Sequence, residues 1–233
     1  LPSVTAVIGA TIAKPELVGW ASKVTRDNIS GMVDVLSQDH RDALLDTMAD
    51  GDMLAEYMKE NRLRADDVRD EAAELGTENH ETLEHLAKCY INEGEETAEI
   101  VATRMLNRSE SGHVTAICGW WLDTYPRVAE AEMRLFSLSL GVAGTVDLVL
   151  KGTDGYHVID LKTRGAGRTA YRTDHVQVDG YAAMYEEMTG NEVTERSVLV
   201  CREDGTFDMY PSTVPVGTFA ATKKLYDLLR GSR

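Results

Sequence analysis

Along the 233 residues the spacing of apolar positions first changes near residue 125. From about 15 to 119 they recur at helical spacing among charged residues, which predicts helices, with Gly31, Gly51, Gly76 and Gly94 as the expected breaks. After "GWWLDTYP" the period shortens. "RVAEAEMRLFS", "VAGTVDLVL" and "YHVIDLK" alternate or run apolar over strand lengths between Gly-rich or polar turns, so they predict a three-stranded antiparallel meander. "TDHVQVDGYAAMYEEMTG" returns to helical spacing, with Asp174 in its N-cap region and Gly190 as its stop. Two more strands, "RSVLVCR" and "TFDMYP", and a last helix, "VGTFAATKKLYDLLR", complete the order. The class is α/β (α+β). Counting the helix at 76–93 first, its core runs helix, three strands, helix, strand.

Two acids disturb this pattern. Asp147 and Asp160 each sit inside an apolar strand, and a carboxylate is costly to bury without a partner. Strand alternation puts Asp160 and Lys162 on one face while Ile159 and Leu161 point to the other. The "KGTDGY" turn brings the strand of Asp147 alongside. Two neighbouring carboxylates repel unless a cation lies between them, and a hard, oxygen-ligated ion such as Mg2+ suits them. Lys162 on the same face could orient a water or stabilise charge developing on a phosphate, which is the chemistry of phosphodiester hydrolysis. From the spacing alone another reading stays open: a salt bridge between Asp160 and Lys162, with Asp147 capping a turn.

Charge narrows the partners. A net charge of −15 argues against broad adhesion to nucleic acid or anionic membrane. Even so, Lys162, Arg164, Arg168 and Arg172 fall within eleven residues beside the two acids, where they could hold phosphates; a solvated loop is the alternative. The acids of "RADDVRDEAAELGTENHETLEHLAKCYINEGEE" read as solvated helix faces. Cys89, Cys118 and Cys201 are single and widely separated, so neither a disulfide framework nor a clustered metal site is expected, and a reducing cytoplasm fits. The apolar "VTAVIGATIA" is short and closed by Lys14 and Pro15, unlike a signal peptide or a membrane span. No G-x-x-x-x-G-K-[ST] loop is present, so no fused nucleotide-driven motor is expected.

"GTVDLVL", "YHVIDLKT" and "QVDGYAAMY" together resemble the PD-(D/E)XK nuclease superfamily over about 76–200, and within it the RecB-like branch that includes phage recombination exonucleases. The resemblance implies a restriction-endonuclease-like core at 76–233 and an added N-terminal helical region at 1–75. It implies that Asp147, Asp160 and the backbone carbonyl of Leu161 bind the metal and that Lys162 is catalytic. "GTENHETLEHL" resembles the branch's G-x-x-x-H helix start and adds His80 as a ligand, so that Mn2+ would serve beside Mg2+. His85 falls on another helix azimuth and is left out. Gln177 and Tyr181 match a Q-x-x-x-Y signature on one helix face. Gln177 would reach the lysine or a phosphate and Tyr181 the nucleic acid, the alternatives being a surface amide and a core anchor. Glu132 is similar to a supporting acid that precedes the meander in this branch, although Glu130 would share its face. Val146 stands where the superfamily has proline.

Iron–sulfur members of the branch carry four clustered cysteines, so no iron–sulfur cluster is expected here. The stretch "PSVTAVIGATIAKPELVGWASK" resembles the N-termini of stand-alone phage exonucleases. Taken together, the resemblance implies a metal-dependent DNA exonuclease of recombination, repair or DNA processing. Its substrate would be DNA with a free end, its candidate partner a single-strand annealing protein, and its location the cytoplasm, that of the host if phage-encoded. A structure-specific endonuclease and a non-catalytic nuclease-fold interaction protein are the alternatives.

Overall fold

The computed structural model describes residues 1–12, 16–35 and 51–231. The chain divides into two compact units, Ala13–Leu75 and a larger one made of Leu1–Ile12 with Gly76–Arg233. The first twelve residues, grouped by sequence with the helical region at 1–75, therefore belong with the sheet. Helix α1, Val4–Thr11, buries Val4, Val7 and Ile8 at i, i+3 and i+4. The preceding Pro2 carbonyl accepts the Ala143 N–H at 3.2 Å.

The smaller unit holds α2, Glu16–Val35, α3, Gly51–Glu60, and the start of α4, Ala65–Glu93. Tyr57 Oη donates to the Met32 sulfur at 3.2 Å. Asp67 opens α4 by accepting the Arg64 N–H at 2.9 Å while pairing with the Arg64 guanidinium at 3.0 Å. Two expected breaks are absent: Gly31 lies inside α2 and Gly76 inside α4. A helical glycine costs only about 1 kcal/mol, and further along α4 the burial of Leu83, Leu86 and Ala87 outweighs it. Gly94, at φ 97°, does separate α4 from α5, Glu95–Leu106.

The larger unit continues with α6, Gly112–Thr124, then β1, Val128–Ser137, β2, Val142–Lys151, and β3, Tyr156–Arg164. Helix α7, Arg172–Thr189, crosses to β4, Val193–Arg202, and β5, Phe207–Pro211, with α8, Thr218–Gly231, comes next. The five strands lie in chain order. β1, β2 and β3 form an antiparallel meander, β4 runs parallel to β3, and β5 returns antiparallel. The parallel step is what the α7 crossover permits. The fold is the mixed α/β arrangement expected from the sequence.

Both faces of the sheet are covered. On one, Val158, Val198 and Val200 pack with Val176, Val178, Met184 and Tyr185 of α7, with α1, and with Phe219 and Tyr226 of α8. On the other, Ile159, Leu161, Leu199 and Cys201 pack with Leu83 and Leu86 of α4, with α5, and with Ile117, Trp120 and Trp121 of α6. Among the described residues no helix is long and apolar enough to cross a membrane.

Strict alternation also breaks at the centre of β1 and β2, beyond the irregularity near Val128 and Glu130. Met133 and Val146 pack on the α7 side, whereas Ala131 and Leu148, two residues away on the same strands, pack on the α4 side. Between them lie Glu132 and Asp147, set opposite each other by the flanking pairs Ala131↔Leu148 and Met133↔Val146. Glu132 has φ 47°, a left-handed backbone that is strained for a non-glycine residue in a strand. The sheet is thus kinked where two acids meet.

Candidate active site

The paired register of β2 and β3 runs from Lys151↔Tyr156 to Leu148↔Ile159. Beyond it, Asp147 Oδ2 accepts the Leu161 N–H at 2.6 Å, so a side chain takes up a ladder donor. Asp147 Oδ1 lies 3.2 Å from His80 Nδ1, and Glu132 Oε1 lies 3.9 Å from the same nitrogen. His80, Glu132 and Asp147 each offer one ligand atom, all within 4.8 Å of one another. They come from α4, β1 and β2. Glu130 is exposed, so the kink at Glu132 selects between two acids that alternation alone leaves on one face. His85 is also exposed, 3.9 Å from the Cys89 sulfur.

Asp160 is 1% exposed. Its Oδ1 accepts from Gln177 Nε2 at 3.1 Å, and the same nitrogen donates to Tyr181 Oη at 2.9 Å. Lys162 Nζ stands 2.7 Å from Asp160 Oδ2. Among the described residues Lys162 is the one partner of that oxygen. Gln177 therefore holds the acid, where the sequence has it reach the lysine or a phosphate. Tyr181 is 6% exposed and packs within the core. Its ring lies over Gly144, where an added Cβ would come within 2.8 Å of Cε1.

The electrostatics fit a cation. Burial pushes the Glu132 carboxyl up to about 6, aided by the charge of Asp147. Burial also raises Asp160; Lys162 opposes that, and Asp147 adds to it. For Lys162 burial is the largest influence and acts downward, but the charges of Asp160 and Asp147 outweigh it and hold the ammonium above its ordinary value. His80 is likewise depressed by burial yet raised on balance by its hydrogen bond to Asp147 and by that residue's charge. Three carboxylates are crowded around two bases. Both distances from His80 Nδ1 are shorter than the roughly 4.2 Å that spans an octahedral ion with ligands at about 2.1 Å. An imidazole with oxygen ligands also suits Mn2+.

The basic run divides. Arg164 turns inward: Nη2 pairs with Asp174 Oδ2 at 2.8 Å, and the guanidinium carbon sits 4.6 Å from the Tyr171 ring centroid. Its charge is already matched by Asp174. Arg168 and Arg172 are exposed. Asp174, read from the sequence only as part of a cap, is buried and also accepts the Tyr171 N–H at 2.8 Å. Its link to Arg164 spans ten residues and has no local signature.

A family model described as the PD-(D/E)XK nuclease superfamily matches residues 54–209. No curated protein matches the chain at a significant level. Among solved structures, one titled "Crystal structure of SSO0001" is similar at 10% identity and a TM-score of 0.33, over 66% of this chain and 75% of that chain, too distant to bear on function.

Proposed function

The chain belongs to the PD-(D/E)XK nuclease superfamily, and from that premise we propose that it is a divalent-metal-dependent exonuclease acting on DNA with a free end. The observation that carries the proposal is the convergence of His80, Glu132 and Asp147 beside the Asp160–Lys162 pair at the fork of β2 and β3. Those three side chains and Asp160 would hold Mg2+ or Mn2+. The Leu161 carbonyl, on the same strand edge as the N–H that Asp147 accepts, is the remaining ligand. A bound ion would polarise a phosphoryl oxygen and lower the pKa of a water.

The other roles fall to the chain's own groups. Lys162 offers a fixed positive charge to the phosphate as negative charge develops on its oxygens, and it needs no reorganisation because Asp160 already holds it. Gln177 fixes the orientation of Asp160 and is itself fixed by Tyr181. Exposed Arg168 and Arg172 meet the backbone, while the net charge of −15 limits adhesion elsewhere. The resemblance to phage recombination enzymes supports a role in recombination, repair or DNA processing alongside a single-strand annealing protein.

A time course on end-labelled linear and on circular DNA, with Mg2+, Mn2+ or a chelator, tests this reading. Expected is metal-dependent shortening of linear DNA from an end, with circles intact. Cutting of circles would make it an endonuclease. No cleavage with either ion would leave a nuclease fold used for interaction.

A further inference from the structure

We propose that Tyr171 is a stacking platform for an unpaired nucleobase, braced from one side by the Arg164 guanidinium; this rests on the nuclease reading above. Tyr171 is 48% exposed, yet it is firmly mounted. One buried oxygen, Asp174 Oδ2, accepts both the Tyr171 N–H and Arg164 Nη2, each at 2.8 Å. Arg164 Nη1 donates to the Thr163 carbonyl at 3.0 Å. Ring and guanidinium are thereby referenced to the same point, with the cation 4.6 Å from the ring centroid. Arg164 Nε is buried with no hydrogen-bond partner among the described residues, so its stacked pose does not maximise hydrogen bonding.

The surrounding backbone is pinned as well. The Arg164 carbonyl accepts from the Glu203 N–H at 3.1 Å and lies 3.1 Å from His113 Nε2. In the loop after β3, the Ala166 N–H donates to Glu203 Oε1 at 3.1 Å and the Arg168 carbonyl accepts from Arg202 Nε at 2.7 Å.

Position gives the mount its purpose. Arg164 comes after Asp160 and Lys162 on one strand face, about 7 Å beyond the lysine along the strand. Arg168 and Arg172, three residues before Tyr171 and one after it in the chain, are exposed and can take phosphates. A base within a duplex is already stacked on its neighbours, so the ring selects a single strand or a frayed end. Stacking on an aromatic face is also tolerant of sequence.

The test uses the full chain with Ca2+ in place of Mg2+, at one salt concentration. The probes are a single-stranded oligonucleotide carrying 2-aminopurine near its end and a blunt duplex of the same sequence. Wild type and Tyr171→Phe are expected to quench the probe and bind the single strand alike. Tyr171→Ala, its fold checked by its melting profile, should lose the quenching and bind the single strand about tenfold more weakly, the order of one lost base–aromatic stack, with duplex binding unchanged. Unchanged quenching in Tyr171→Ala, or equal losses on both probes, would overturn the proposal. The two readings fail separately: Tyr171-dependent quenching without Mg2+-dependent cleavage removes the nuclease reading alone, whereas cleavage with Tyr171-independent quenching removes the platform alone.

Discussion

Asp160 and Asp179 are both almost fully buried, at 1% and 3% exposure, yet their surroundings are opposite. Asp179 on α7 is saturated. It pairs with Arg196 of β4, and it accepts the Gly217 N–H at 3.3 Å and the Phe219 N–H at 2.9 Å, so one carboxylate both neutralises a cation and caps the start of α8. Asp160 has one amide donor, a single lysine on its other oxygen, and a second carboxylate, Asp147, close enough to raise its pKa further. Burial is common to both. What separates a structural acid from a reactive one here is whether its oxygens are satisfied and its charge matched.

The sharpest way to break that contrast is to neutralise each pair. Asp160→Asn with Lys162→Met should lower the cleavage rate by at least about 10²–10³-fold, since the fixed charge facing the phosphate is gone. The melting temperature of the metal-free protein should be equal or higher, because a poorly satisfied buried ion pair contributes little net stability. Rates from end-labelled DNA and a thermal melt read the two effects. Retained cleavage, or a large fall in melting temperature, would place Asp160 with the structural acids.

Asp179→Ala should do the reverse. It leaves Arg196 without its carboxylate and two N–H groups without an acceptor, a loss of about 3–5 kcal/mol. For a chain of this length that is a fall of roughly 6–20 °C in melting temperature. Cleavage per folded molecule at a permissive temperature should be close to wild type. A selective loss of cleavage with no fall in stability would show that saturation does not distinguish the two sites.

The strands and their order were legible because the period-two texture after residue 125 is strong and the turns between strands are short. The D-x-K face was legible for the same reason, since alternation alone sets Asp160 and Lys162 together. Three things were not. Gly76 looks like a helix start but lies within α4, where packing outweighs a weak local preference. The choice of Glu132 over Glu130 depends on a left-handed residue that suspends alternation. Gln177 on Asp160 and Arg164 on Asp174 are tertiary contacts, seventeen and ten residues apart, and no local rule ranks them above the expected contacts with lysine and phosphate.

A third acid extends the contrast to the surface. Glu187, exposed on α7, clamps the β1–β2 turn: its oxygens accept from the Ser137 and Ser139 hydroxyls and from the Leu138 and Ser139 N–H groups. The hydroxyl bonds of Ser137 and Ser139, helped by the backbone donors, hold its carboxyl down at about 2. A lowered folded-state pKa means that its contribution is complete above the ordinary glutamate range and is lost as pH falls through that range towards 2. The difference in melting temperature between wild type and Glu187→Gln should therefore be constant above about pH 5 and shrink steadily below it. The effect is small because the group is solvated, and melts from pH 7 to pH 3 are enough to see it. A difference that stays flat over that range would mean that the clamp holds the turn without depending on the charge, so that Glu187 acts by shape where Asp179 acts by charge.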